Sequence, residues 1–222
     1  YENNDKQRMQ YLFLKFLPLF YVITACISCF LSVHGDWLAP MVGGKDFTNA
    51  AFPVMLLGLA PIHQTYGQLS GSLMTATDRT KEYSSISIFF TVISLPITFF
   101  ILAPKSYGGL DLGATGLAIK LVVIQIFQVN TQLWFNSRQL QINIKKNIIH
   151  QVMVVTLFIF FAIIGKVLAA KLMGEGIWAL MFSILIYIMI ILSIILSFPQ
   201  IIAMKRDEIL QHTKTLFQSF KL

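Results

Sequence analysis

Apolar runs of membrane-crossing length dominate this chain. A helix needs roughly 20 apolar residues to traverse the hydrocarbon core of a bilayer. Runs of that order cover about Tyr11–Val33, Ala50–Thr75, Ser84–Ala103, Leu112–Phe135, Ile148–Leu168 and Ile177–Ala203. Backbone groups left unpaired in lipid are costly, and the runs exceed the about 9–11 residues of a barrel strand, so helices are the expected solution. The expected fold is all-α: a polytopic membrane protein with six transmembrane helices. Composition agrees, with 56% hydrophobic and 12% charged residues, about half the charged share of a soluble domain.

Charge predicts orientation. One set of loops and ends carries Lys6, Arg8, Arg79, Lys81, Arg138, Lys145, Lys146, Lys205, Arg206, Lys214 and Lys221. The alternate set carries Lys45, Lys105, Lys166 and Lys171. The richer set belongs in the cytoplasm by the positive-inside bias, and an even number of crossings then places both ends there. The net charge of +7 is spread between apolar runs rather than gathered in one patch. That excludes nucleic acid as a partner and fits contact with anionic membrane lipids.

The chain opens at Tyr1 on a polar stretch with no signal-peptide pattern. It reads as a segment of a longer protein. Residues 1–204 form the expected transmembrane lobe and 205–222 a cytoplasmic tail. In the tail, Ile209, Leu210, Leu216, Phe217 and Phe220 recur at helical spacing, predicting a helix lying on the membrane surface. Outer connections read as short turns at Gly35-Asp36-Trp37 through Gly43-Gly44, Pro104–Gly109 and Gly174–Gly176, with Trp37, Tyr107 and Trp178 near the interfaces. Prolines at 18, 53, 61, 96 and 199 invite kinks. Pro61 is the strongest candidate, because polar residues follow it.

Polar stripes inside the runs mark the candidate site. In the second run, Gln64, Gln68 and Gly71 fall on one face at about 100° per residue. Gly67 and Gly71 form a pair that lets another helix approach closely. This face is either a cavity wall of donors and acceptors or inter-helix packing. His63 beside it would serve a proton step or bond a neighbouring helix. In the fourth run, Lys120, Gln125, Gln128, Thr131 and Gln132 lie within about 140° of arc, and Asn130 lies off it. A mid-membrane lysine costs roughly 2.5–3.5 kcal/mol on insertion scales. Lys120 therefore either reaches the outer headgroups or faces a protected cavity, where a cation suits an anionic cargo. A milder stripe of Tyr21, Thr24, Ser28 and Ser32 fits helix packing better.

Several chemistries are not expected. Cys26 and Cys29 read as small apolar residues, because no second Cys/His cluster completes a zinc site. The six runs contain no Asp or Glu, and no glycine-rich phosphate loop is present. No nucleophile–base arrangement or carboxylate pair suggests hydrolysis. Neither an enzyme nor a cofactor is expected.

Two stretches resemble a known family. Gly109-Leu110-Asp111-Leu112-Gly113-Ala114-Thr115-Gly116-Leu117-Ala118-Ile119 resembles the Gly-Ala-x-Gly-x-Ala opening of a late helix in polysaccharide flippases. The polar, glycine-bearing second run followed by Thr77-Asp78-Arg79-Thr80-Lys81 resembles their early helix and cytoplasmic turn, and Trp37–Gly44 also fits their pattern. The family is the lipid-linked oligosaccharide flippases, O-antigen flippases among them, within the superfamily that includes multidrug extruders. The resemblance implies two six-helix lobes, of which this chain would be the C-terminal one, in a bacterial inner membrane. It implies alternating access, and a cargo of short glycan on polyprenyl diphosphate moved to the outer leaflet. Lys120 would meet the diphosphate, and Gln64, Gln68, Gln125, Gln128 and His63 would contact cargo. The family's central basic residues are absent from the first two runs, so Lys120 or the N-terminal lobe would have to supply that charge. A cation-coupled multidrug exporter, needing a carboxylate in the other lobe, and a non-transporting scaffold are the alternatives.

Overall fold

The computed structural model describes residues 6–203, and every regular element among them is helical. The α-helices run α1 Lys6–Val33, α2 Gly35–Gly43, α3 Ala51–Leu57, α4 Ala60–Ala76, α5 Thr80–Leu102, α6 Gly113–Leu140, α7 Ile144–Met173 and α8 Ile177–Ser197. Short 3-10 turns occupy Lys45–Ala50, Lys105–Tyr107 and Pro199–Ile202. Five helices, α1 and α5 to α8, are long and apolar enough to cross a membrane. The expected surface helix of the tail, 205–222, lies outside the described residues.

The second run departs from expectation. It is two helices, α3 and α4, broken at Gly58–Leu59, and neither half alone has the length and apolarity of a crossing. Proline explains the break: Pro61 has no N–H, so the Leu57 carbonyl loses its normal partner four residues on. The neighbouring Met55 carbonyl accepts instead from the Ser32 hydroxyl of α1, at 2.6 Å. Gly58 makes that approach possible, since a Cβ there would stand 3.1 Å from the Ser32 backbone.

The C-terminal end of α1 also differs. The turn expected at Gly35–Trp37 is the start of helix α2, which follows α1 after the single residue His34. The His34 ring is fully buried, 2.9 Å from the Phe30 carbonyl and 2.8 Å from Ser183 Oγ of α8. Above it, Lys166 Nζ of α7 donates to both Asp36 carboxylate oxygens, at 2.5 and 2.6 Å, and to the Val33 carbonyl at 3.0 Å. Lys166 therefore sits within a helix rather than in an outer loop. From Lys146 to Lys166, α7 rises about 30 Å, the thickness of a hydrocarbon core.

α1 is the hub. Leu17, Tyr21, Ala25 and Cys29 on its inner face are all fully buried. Around them pack Val154, Phe158 and Ala162 of α7 and Tyr187 and Ile191 of α8. The stripe from Tyr21 to Ser32 is inter-helix packing: Tyr21 donates to the Gln151 carbonyl at 3.3 Å, Thr24 accepts from Thr65 at 3.0 Å, and Ser32 holds Met55. Tyr187 of α8 donates to the Cys26 carbonyl at 2.9 Å. α5 stands at the periphery, with Ile86 its one buried residue.

The two glycines of α4 admit different neighbours. A Cβ on Gly67 would lie 2.9 Å from Val129 Cγ2 of α6, and one on Gly71 would lie 2.8 Å from the Tyr83 ring of α5. Gly67→Val should destabilise the fold by roughly 1–3 kcal/mol, the usual range for overpacking, as a lower melting temperature in detergent. At the outer end, Asp36→Asn should be more damaging than Lys166→Met. The first leaves a partly buried ammonium with the Val33 carbonyl but no counter-charge, whereas the second leaves a carboxylate free to face water. Melting temperatures of the two variants check that order.

Candidate functional site

Gly67 and Gly71 hold α4 against α6 and α5 along one line, and the three helices splay around a trough of about 480 Å³. α4 contributes Gln64, Gly67 and Gln68 to its wall. α6 contributes Gln125, Gln128 and Gln132, with Leu121, Ile124 and Val129 between them. α5 closes the third side with Tyr83, Phe90, Thr91 and Ser94. The α6 glutamines occupy the middle turns of their helix, which runs from Gly113 to Leu140.

These amides are uncommitted. Gln64, Gln68, Gln125, Gln128 and Gln132 make no side-chain hydrogen bond among the described residues. Each offers two N–H donors and a carbonyl acceptor. Gln151 of α7, by contrast, exchanges bonds of 3.2 and 3.5 Å with Asn130 of α6. Five unspent amides around one hollow make a surface for hydroxyl-rich or otherwise polar guests. No Asp, Glu, Lys or Arg lines the trough, so its wall offers hydrogen-bonding capacity rather than charge.

Lys120 stands elsewhere than the stripe implied. It is 8% exposed and has no hydrogen bond or ion pair among the described residues. It is not on the trough wall. At about 100° per residue it lies 40° from both Ile124, a wall residue, and Gly116, which packs on Ile101 of α5. Lys120 thus sits on the α5-facing shoulder of α6, level with the wall residue Leu121 but turned off the trough and enclosed by protein. Helical side chains lean toward their own N-terminus, which here directs its stem away from the glutamines. Thr131 also falls off the wall, its hydroxyl bonded to the Phe127 carbonyl at 2.8 Å. His63 is half-buried and off the wall as well, with Nδ1 buried and unpartnered. The polar stripe divides into trough-facing glutamines, a shoulder lysine and a helix-bonded threonine.

The inner end of the trough meets a basic corner. Arg79 precedes α5 by one residue and four residues before the wall residue Tyr83. Its guanidinium bonds Glu82 at 3.2 Å and Gln139 of α6 at 2.9 Å, and lies 5.9 Å from the Phe135 ring. Nearby on α6, Arg138 stacks over Trp134 at 3.9 Å. The α5 wall was not anticipated. Tyr83, Thr91 and Ser94 are spaced so that they share a face, but three moderately polar residues in an otherwise apolar run carry little signal.

If the trough holds water, cysteines placed on it will be reachable from solution. In a Cys26→Ala, Cys29→Ala background, Gln64→Cys and Gln128→Cys should react with a small charged methanethiosulfonate reagent. Leu185→Cys, on the exposed apolar face of α8, should not. Equal labelling of all three would remove the distinction between trough and lipid face.

No protein-family model, curated protein or solved structure matches the chain.

Proposed function

We propose that this chain is one lobe of a flippase that carries a polyprenyl-diphosphate-linked oligosaccharide from the cytoplasmic to the outer leaflet. The observation that supports it is the trough of uncommitted glutamine amides between α4, α5 and α6. Sugars present hydroxyls that both donate and accept, and amides answer both. A drug exporter for lipophilic cations would be served by an acidic wall. The wall here carries no carboxylate.

In this reading the glycan lies along Gln64, Gln68, Gln125 and Gln128, and the polyprenyl tail remains in lipid. The diphosphate would be drawn toward Lys120 at the outer end, since that ammonium is enclosed and has no counter-ion among the described residues. His63 is left with a supporting role on the shoulder of α4. Cargo would reach Lys120 by a relative movement of α5 and α6, consistent with alternating access about a midplane site. A second lobe, from the same protein, would close the open side of the trough.

The test separates charge from shape. Lys120→Gln should reduce transfer of lipid-linked glycan by about tenfold or more, the scale of one charge-assisted hydrogen bond, while Lys120→Arg should retain most of it. Protein level in the membrane should be the same for both. Unchanged surface glycan with Lys120→Gln would remove Lys120 from the mechanism. Unchanged glycan with Gln64→Leu and Gln128→Leu together would remove the trough.

A further inference from the structure

Behind the trough wall, the seam between α4 and α6 contains oxygens with nothing to accept from. Ser70 Oγ, Gln132 Oε1 and Asn136 Oδ1 are all buried and make no hydrogen bond. Their residues are 0%, 3% and 0% exposed. Asn136 is fixed in orientation, because its Nδ2 donates to the Ser70 backbone carbonyl at 3.0 Å. Its own carbonyl end is therefore turned away from that bond. Gln132 and Asn136 are one turn apart on α6, and Gln132 Oε1 reaches to 3.7 Å from where a Cβ on Gly67 would lie. Gly67 and Ser70 are in turn neighbouring small residues on α4. One face of each helix thus brings acceptors together at a place where the side chains are small. Two of the three are amide carbonyls, which cannot donate to each other.

We propose that this seam binds an ordered water molecule. A buried water makes about three hydrogen bonds to groups that would otherwise go without. Here it would donate to Gln132 Oε1 and Asn136 Oδ1 and accept from the Ser70 hydroxyl. Leaving an acceptor buried and unpaired costs roughly 1–3 kcal/mol, and the cost falls on two carbonyls at once. Gln132 also lines the trough, so one amide joins the seam to the hollow and gives water its way in. The water would fasten α4 to α6 beside the Asn136–Ser70 bond. The proposal concerns hydration and does not depend on which cargo the trough takes.

Hydroxyl-radical footprinting by X-ray radiolysis, in water enriched in oxygen-18, tests it on the whole protein. Two equally hidden tyrosines serve as reporters. Tyr66 is 0% exposed, one turn from Ser70 on the same face of α4, and its hydroxyl is also unpartnered. Tyr187 is 2% exposed, in the α1–α8 core, with its hydroxyl bonded to Cys26. Bound water generates radicals in place, so Tyr66 should be labelled several-fold faster than Tyr187. Ser70→Ala combined with Gln132→Met should bring the Tyr66 rate down to that of Tyr187. Equal rates in the native protein would overturn the proposal, whether or not that variant folds. A melting temperature that rises with NaCl, but not with choline chloride at the same ionic strength, would also overturn it, by assigning the seam to a metal cation.

Discussion

Hydrocarbon cannot hydrogen-bond, and that constraint governs where this chain keeps its polar groups. Around α1 the rule is met by direct pairing. Tyr21 reaches the Gln151 carbonyl, Tyr187 the Cys26 carbonyl and Ser32 the Met55 carbonyl. Each bond ties a side chain to a backbone oxygen on another element, so the polar atoms of the hub also locate its helices. Around α4 and α6 the same rule is left open. Glutamine amides face a hollow, and three oxygens face a narrow seam behind it. The molecule therefore joins its helices by paired polar atoms around α1 and leaves most of its amide groups unpaired along α4 and α6.

The break at Gly58 connects the two. A continuous helix from residue 51 to 76 would fix α4 to the outer end of α1. The interruption lets α3 follow α1, with Gly58 against Ser32, while α4 turns its glutamine face toward α5 and α6. The junction of α1 and α2 is held separately by the Asp36–Lys166 pair and the buried His34.

Length and apolarity made α1, α5, α6, α7 and α8 legible, because both properties are local to each run. Pro61 and the polar residues after it marked the irregular place correctly, but the break itself lies at Gly58–Leu59 and depends on Ser32 approaching from α1. Gln64 and Gln68, and Gln125 and Gln128, were readable as sharing a face because each pair repeats at helical spacing, but whether the α4 face met a hollow or another helix was not legible. For Lys120 the choice between headgroups and cavity was not legible, since a wheel that spans 140° contains both the hollow and its shoulder. Only the position of α5 distinguishes them. Asp36 and Lys166 were invisible as a pair, separated by 130 positions in the chain. Asn136 and Ser70 were hidden for the same reason.

α5 is the least embedded of the long helices, with 6% of its most apolar window buried. It nonetheless forms one complete side of the trough. Its hold on the bundle runs along one edge, where Tyr83 meets Gly71 and Ile101 meets Gly116, and the rest of its surface is bare. The hollow is thus bounded on that side by a single layer of helix.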